Sequence, residues 1–131
     1  MTEVGVVRVD EVDPVELGGG SKSWVLIDSA TTPPTRTTLG YSEFGPGTST
    51  QHMSHAVEEL AFVVAGSGIL QLDDRAVPIG PHGACHIPAG LWHTVVNESP
   101  DLPLVMVFAF ASPTYPPTER RPSAGSAEVT R

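Results

Sequence analysis

The chain has 131 residues and a formal net charge of −8, and its 13 glycines and 13 prolines interrupt stretches of strand-forming residues. This length fits one domain with a sizeable core, and the negative charge argues against nucleic acids and anionic membranes as partners, since both are polyanions. The single Cys85 excludes an intrachain disulfide, and we expect a cytoplasmic protein because the sequence shows neither a signal peptide nor an apolar stretch of the roughly 18 residues that span a bilayer.

Strands and turns are predicted throughout, because no stretch longer than a turn or two places apolar residues at helical spacing. In chain order, the predicted strands are 4–9, 24–28, 37–44, 60–64, 69–72, 84–87, 94–97 and 104–111. Such close spacing, with no helix between strands, predicts an all-β domain built as a sandwich or barrel. We place this domain at residues 1–112. Residues 113–131 are polar and proline-rich, which predicts a solvated arm or a strap across a neighbour rather than core.

Two short segments carry residues that a metal site would need. The first contains His52, His55 and Glu59, and the second contains His93. Imidazole and carboxylate groups bind zinc, iron, manganese, nickel and copper. Both segments are rich in strand formers and turn residues, so they are able to converge inside a small β structure. The sequence therefore predicts a site for a divalent metal ion.

The same two segments resemble the motifs of the cupin superfamily, whose fold is a small jelly-roll β-barrel. The first family motif is Gly, five residues, His-x-His, three or four residues, Glu, six residues and Gly; the second is Gly, five residues, Pro-x-Gly, two residues, His, three residues and Asn. Here the spacing from Glu59 to Gly66 matches the first motif, and that from Pro88 to Asn97 matches the second. The resemblance covers residues 37–111, and it implies a single-domain cupin fold.

Two departures from the family pattern affect the predicted ligands. The first histidine of the family motif falls on Met53, and the nearest histidine is His52. Since alternate residues of a strand point to opposite faces, His52 reaches the metal only if a bulge lies between positions 52 and 55. The opening glycine of the second motif falls on His82, with Gly83 one place late.

We expect His52, His55 and His93 to bind the ion together, and the last ligand position is open between Glu59 and His86. Glu59 is the inward member of the pair with Glu58, because its spacing to Gly66 follows the family motif. His86 lies between Cys85 and Ile87, whose apolar character predicts that His86 points outward. A bulge in that strand would instead turn His86 inward as a further imidazole. Glu59 is then left as an acid–base group rather than a ligand.

Within the superfamily the chain is similar to the small single-domain cupin polyketide cyclases of actinomycete aromatic polyketide pathways, of the resistomycin type. The segments that carry this similarity are 51–55, 58–66 and 87–93. It implies an enzyme that closes rings of a poly-β-ketone by aldol-type condensation with loss of water. Zinc is favoured over iron, nickel and manganese, because ring closure involves no redox change. A quercetinase-like cupin dioxygenase and a non-catalytic small-molecule-binding cupin are the alternatives.

The expected ligand is a hydrophobic aromatic or polyketide molecule. Large apolar side chains are available to line the barrel: Trp24, Phe44, Met53, Phe62, Trp92, Met106, Phe108 and Phe110. Only seven Lys and Arg residues occur, which disfavours a strongly anionic substrate. Strands 4–9 and 104–111 are predicted to form exposed edges, so we expect a homodimer in which the N-terminal strand adds to the partner's sheet.

Overall fold

The computed structural model describes residues 3–122 and the backbone of residues 127–129. It is an all-β structure, as the sequence predicts, with one short 3-10 helix at Val9–Glu11. The strands, in chain order, are β1 (Val15–Gly18), β2 (Ser21–Ile27), β3 (Thr38–Phe44), β4 (Thr48–Thr50), β5 (His52–His55), β6 (Glu59–Ala65), β7 (Gly68–Gln71), β8 (Ala76–Ile79), β9 (Ala84–Ile87), β10 (Thr94–Val96), β11 (Leu104–Phe110), β12 (Thr118–Arg121) and β13 (Ala127–Val129). No helix in the described part of the chain is long and apolar enough to cross a membrane.

The strands form two main sheets and a two-stranded ribbon. The six-stranded sheet has the order β1-β2-β3-β11-β6-β9, and the five-stranded sheet has the order β13-β4-β10-β7-β8. The ribbon pairs β5 with β12. All pairings are antiparallel except that of β13 with β4. This arrangement of non-sequential antiparallel neighbours is that of a jelly roll.

Side chains from both sheets meet in one core. In β6, burial alternates from Glu59 to Val63, so that the odd-numbered residues point inward. Gly66 follows β6 with φ +83°, and a Cβ at this position would collide with the carbonyl oxygen of Pro103. The core residues come from seven strands in all: Leu17, Phe44, Ala61, Val63, Leu70, Ile87, Val95, Leu104 and Met106.

The structure corrects two of the predicted edges. Residues 4–8 form no strand, and Val4 and Val6 are 89% and 78% exposed. Their alternating valines resemble a strand pattern, but no sheet edge in the described part of the chain pairs with them. Residues 104–110 do form a strand, but β11 lies between β3 and β6 in the middle of the six-stranded sheet. It is therefore not an edge. The exposed edges of that sheet are β1 and β9.

The residues predicted as a polar tail contribute to the fold. β12 pairs with β5 from Thr118 opposite His55 to Arg121 opposite His52. β13 runs parallel to β4. The segment is thus a strap across its own domain. The strand that it covers, β5, carries two of the histidines singled out from the sequence.

Candidate metal centre

Three of the predicted site residues converge at one end of the sandwich. His55 is the last residue of β5, Glu59 is the first residue of β6, and His93 directly precedes β10. Met53 and His93 exchange both backbone hydrogen bonds, at 2.9 and 2.8 Å, which joins β5 to the second motif. Since residues 53 and 55 share a strand face, this bridge places His93 on the same side as His55.

The ligand atoms of this group are close together and buried. The Oε1 atom of Glu59 lies 3.2 Å from Nε2 of His55 and 3.6 Å from Nε2 of His93. Each residue offers one ligand atom, all within 4.8 Å of one another, and the residues are at most 3% exposed. A tetrahedral zinc ion with bonds of about 2.0–2.1 Å holds neighbouring ligand atoms roughly 3.3 Å apart. The spacing of this group therefore fits a bound divalent ion.

The hydrogen bond of His93 fixes which ring nitrogen is able to bind a metal. Its Nδ1 lies 2.9 Å from the backbone carbonyl oxygen of Leu91. A carbonyl only accepts, so Nδ1 carries the proton and Nε2 presents a lone pair. This buried Nε2 atom makes no hydrogen bond within the part of the chain that the structure describes. It is oriented as a metal ligand, with its second nitrogen anchored by the backbone.

The ring of His55 is fixed in the same way, but by a side chain. Its Nδ1 lies 2.7 Å from the hydroxyl oxygen of Thr118. That hydroxyl donates its only proton to the carbonyl oxygen of Pro116, at 2.9 Å, so it accepts from Nδ1–H of His55. Nε2 of His55 is therefore a lone-pair donor directed at the same point as Nε2 of His93. Two imidazole lone pairs and a carboxylate oxygen together favour a bound cation.

Aromatic rings enclose one side of the group. The ring of His55 makes edge contacts with Phe110 and Tyr115, at centroid distances of 4.9 and 5.8 Å. Phe110 and Tyr115 also contact each other, and Phe108 packs against both rings. These apolar walls lower the local dielectric and strengthen electrostatic interactions inside the site. Of the side chains predicted to line the barrel, Phe62 points outward instead and is 42% exposed.

His52 is not brought to this group. Its Nε2 lies 2.7 Å from Oδ1 of Asp73 and its Nδ1 lies 2.8 Å from the hydroxyl of Thr94, while its ring stacks on Trp92. The bulge that His52 would need is absent, because β5 pairs with β12 in continuous register from residue 52 to residue 55. His52 therefore points away from His55, as strict alternation along a strand requires.

A charged cluster surrounds His52 at the surface. Arg121 binds the carboxylate of Asp73 at 3.0 Å, and its guanidinium lies 4.0 Å from the centre of the Trp92 ring. The hydrogen bond from His52, followed by the charge of Arg121, lowers the pKa of Asp73 below its ordinary value. This cluster ties the end of β12 to the domain.

His86 also lies outside the metal group. β9 pairs with β6 in continuous register, with His86 opposite the exposed Leu60, so the bulge that would turn it inward is absent. Its side chain is 58% exposed and its Nε2 lies 2.9 Å from Oε1 of Glu58. Glu59, and not His86, thus occupies the third position of the group. Cys85 on the same strand packs against the core, and burial, with a smaller contribution from the charge of Glu59, raises the pKa of its thiol.

His82 explains the second departure from the family pattern. It takes the place of the family glycine and has φ +66°, the one described non-glycine residue with a positive φ. Histidine is among the residues that tolerate this left-handed conformation better than most. The turn is therefore kept without the glycine.

Thr118 and Tyr115, in contrast, had no sequence signal, because their contact with His55 bridges about 60 residues of chain.

Comparison with known proteins agrees with this geometry. The family model for the cupin domain matches residues 40–110, more than half of the chain, so the protein belongs to the cupin family. The resemblance found in the two motifs and the predicted jelly-roll fold are both confirmed.

Among solved structures, the polyketide cyclase RemF from Streptomyces resistomycificus is 25% identical, with a TM-score of 0.76, and the match covers 94% of this chain and 89% of RemF. A cupin 2 domain-containing protein from Halorhodospira halophila is 24% identical over 78% of this chain and 69% of its own, with a TM-score of 0.68. An oxalate decarboxylase from Lactobacillus farciminis is 22% identical over 86% of this chain and 34% of its own, with a TM-score of 0.72. The last two likenesses show the fold alone. No curated protein sequence matches the chain.

Proposed function

We propose that this cupin is a metal-dependent polyketide cyclase that closes rings of a poly-β-ketone by aldol-type condensation. The observation that carries the proposal is the convergence of two imidazole lone pairs and a carboxylate in a buried site beside an aromatic wall. The likeness to RemF supports the choice of reaction, because it extends over nearly the whole of both chains.

His55, Glu59 and His93 would hold the ion. A divalent ion bound there supplies Lewis acidity, which polarises a ketone and favours loss of a proton from a neighbouring methylene. We propose zinc, since the reaction changes no oxidation state, although the same donor types also bind manganese, iron and nickel. An oxalate decarboxylase from Bacillus subtilis with this fold has Mn(II) centres, so the test below includes manganese.

The protein's own residues orient the chain and move the proton. The buried ring of Phe110 excludes water from the metal group, and the partly exposed ring of Tyr115 beside it is the proposed contact for an aromatic or pre-aromatic ligand. One oxygen of the Glu59 carboxylate would bind the ion, and the other is the proposed acceptor for the methylene proton. The resulting enolate carbon bonds to the carbon of a second ketone, whose oxygen takes a proton, and the ring then loses one water molecule. Holding both carbons in contact selects one ring closure among several.

The test is product formation by metal-loaded protein. Chelator-treated protein is reloaded separately with Zn²⁺, Mn²⁺, Fe²⁺ or Ni²⁺ and incubated with a linear poly-β-ketone mimic. A cyclase gives a product lighter than the substrate by one water molecule, and the His93→Ala variant gives none. Oxygen uptake with a flavonol would instead indicate a dioxygenase. Metal and ligand binding without turnover of either substrate would indicate a binding protein. Either result would contradict the proposal.

A further inference from the structure

We infer that Thr118, on the C-terminal strap, is a positioning residue that sets the tautomer of His55 and thereby the metal affinity of the site. The inference rests on the proposed metal centre and assigns a role to a residue outside the matched cupin domain, which ends at residue 110. The direct evidence is the hydrogen bond of 2.7 Å between the Thr118 hydroxyl and Nδ1 of His55.

The direction of that hydrogen bond follows from the other contact of the hydroxyl. Thr118 Oγ1 lies 2.9 Å from the carbonyl oxygen of Pro116, which only accepts, so the threonine proton points there. The oxygen then has only lone pairs to offer His55, and the imidazole proton is held on Nδ1. The other nitrogen, Nε2, keeps its lone pair directed at the metal position.

The fold fixes Thr118 beside His55 from both ends of the strap. The two residues are direct partners in the pairing of β12 with β5, and the amide of Ala56 donates to the carbonyl oxygen of Pro117 at 2.9 Å. At the far end of β12, Arg121 binds Asp73 at 3.0 Å. The hydroxyl is therefore held in place by backbone pairing and not by its bond to His55 alone.

Removing the Thr118 hydroxyl changes which tautomer of His55 is the more stable one. Nδ1–H would lose its acceptor, whereas a proton on Nε2 would face Oε1 of Glu59 at 3.2 Å. The proton therefore moves to Nε2, where it occupies the lone pair needed for the metal. Loss of a hydrogen bond that orients a metal-binding histidine weakens metal affinity by about 10- to 100-fold.

The experiment compares Thr118→Val with Thr118→Ser. Valine has nearly the shape of threonine but accepts no hydrogen bond, whereas serine keeps the hydroxyl. Thr114→Val is the matched control, because the exposed Thr114 lies on the same strap and its hydroxyl contacts only the backbone of Tyr115 in the described structure. Zinc affinity is measured by competition with a chromophoric chelator. We expect a loss of 10- to 100-fold for Thr118→Val and less than threefold for the other two variants.

A second measurement separates positioning from a general structural effect. The ¹⁵N chemical shifts of the His55 ring in metal-free protein report which nitrogen carries the proton. We expect Nδ1–H in the wild type and Thr118→Ser, and Nε2–H in Thr118→Val. Wild-type protein with Nε2–H would overturn the inference, even if Thr118→Val fails to fold. Unchanged zinc affinity in a folded Thr118→Val would also overturn it.

The two proposals fail in different ways. Wild-type protein that binds none of the four metals would contradict the proposed function, while the tautomer of His55 would still be measurable. Protein that binds zinc with no dependence on Thr118 would overturn only the inference. Cyclase activity enters neither measurement.

Discussion

Replacing Glu59 by glutamine should reverse the order of stability of wild type and variant when metal is added. In the metal-free protein, Oε1 of Glu59 faces the Nε2 lone pairs of His55 and His93 at 3.2 and 3.6 Å. All three atoms are hydrogen-bond acceptors when the rings are protonated on Nδ1. The glutamine amide has almost the same volume but carries N–H donors, so it is able to bond to Nε2 of His55.

The expected magnitudes follow from these contacts. One additional buried hydrogen bond contributes about 1 kcal/mol to the free energy of unfolding, which raises the melting temperature of a domain of this size by about 3–5 °C. Zinc at about 100 times its dissociation constant stabilises the wild type by about 2.7 kcal/mol. The variant lacks the anionic ligand and gains little from the same concentration. Metal-loaded wild type should therefore exceed metal-loaded variant by roughly 1–2 kcal/mol.

Thermal unfolding followed by circular dichroism measures both differences. Each protein is melted in chelator and again with zinc at the concentration chosen for the wild type. Glu58→Gln is the matched control, because Glu58 is the neighbouring carboxylate, is 58% exposed and contacts His86 rather than the metal group. Its response to zinc should match that of the wild type. Two results would refute the reasoning. One is a metal-free Glu59→Gln that is less stable than the wild type, and the other is a zinc-induced shift in melting temperature that is equal in Glu59→Gln and the wild type.

Three further changes test other parts of the structure. His93→Ala should remove metal and activity while leaving the β-sheet circular dichroism largely intact, and full metal occupancy in this variant would exclude the second motif from the site. Asp73→Asn should be less stable than the wild type at neutral pH. His52 and Arg121 lower the pKa of Asp73 in the folded state, so the stabilisation by its carboxylate is present above about pH 4 and is lost as the pH falls through the folded pKa. The difference in unfolding free energy between the wild type and Asp73→Asn should therefore shrink in acid. Deleting residues 1–12, which carry the exposed Val4 and Val6, should convert the proposed homodimer to a monomer or aggregate on sizing with light scattering; an unchanged dimer would place the interface elsewhere.

The sequence predicted the fold and the centre of the site because both depend on local spacing. Alternation along β6 places Glu59 inward, and the turn before His93 brings it beside β5. The prediction of His52 as a ligand was wrong for the same reason, because the strand keeps its alternation and holds that side chain on Asp73 at another face. His86 follows the same rule on β9. His52 and His86 would each have needed a β-bulge to point toward the metal group, and neither β5 nor β9 has one in its pairing.

The rest of the site depends on pairing between distant segments, which spacing does not encode. The strap, which begins at residue 113, reads as a polar, proline-rich arm, yet it pairs with β5 and supplies the contacts that hold His55. Residues 4–8 show the opposite case, since their alternating valines resemble a strand but pair with no strand among the described residues. A strand forms only where a neighbouring edge completes its hydrogen bonds, and one sequence does not identify that edge.

The hydrogen bond between Thr118 and His55 matters more in this chain because Met53 stands where the family motif has a histidine. The family motif places a histidine here, whereas this chain has a fully buried methionine whose backbone pairs with His93. The group that remains has two imidazoles and one carboxylate, so each imidazole would account for a larger share of the binding energy of an ion held there. A wrong tautomer at His55 would then leave only one neutral nitrogen ligand beside Glu59. A site with fewer imidazoles thus depends more on hydrogen bonds that orient them, and in this protein the bond to His55 comes from the strap.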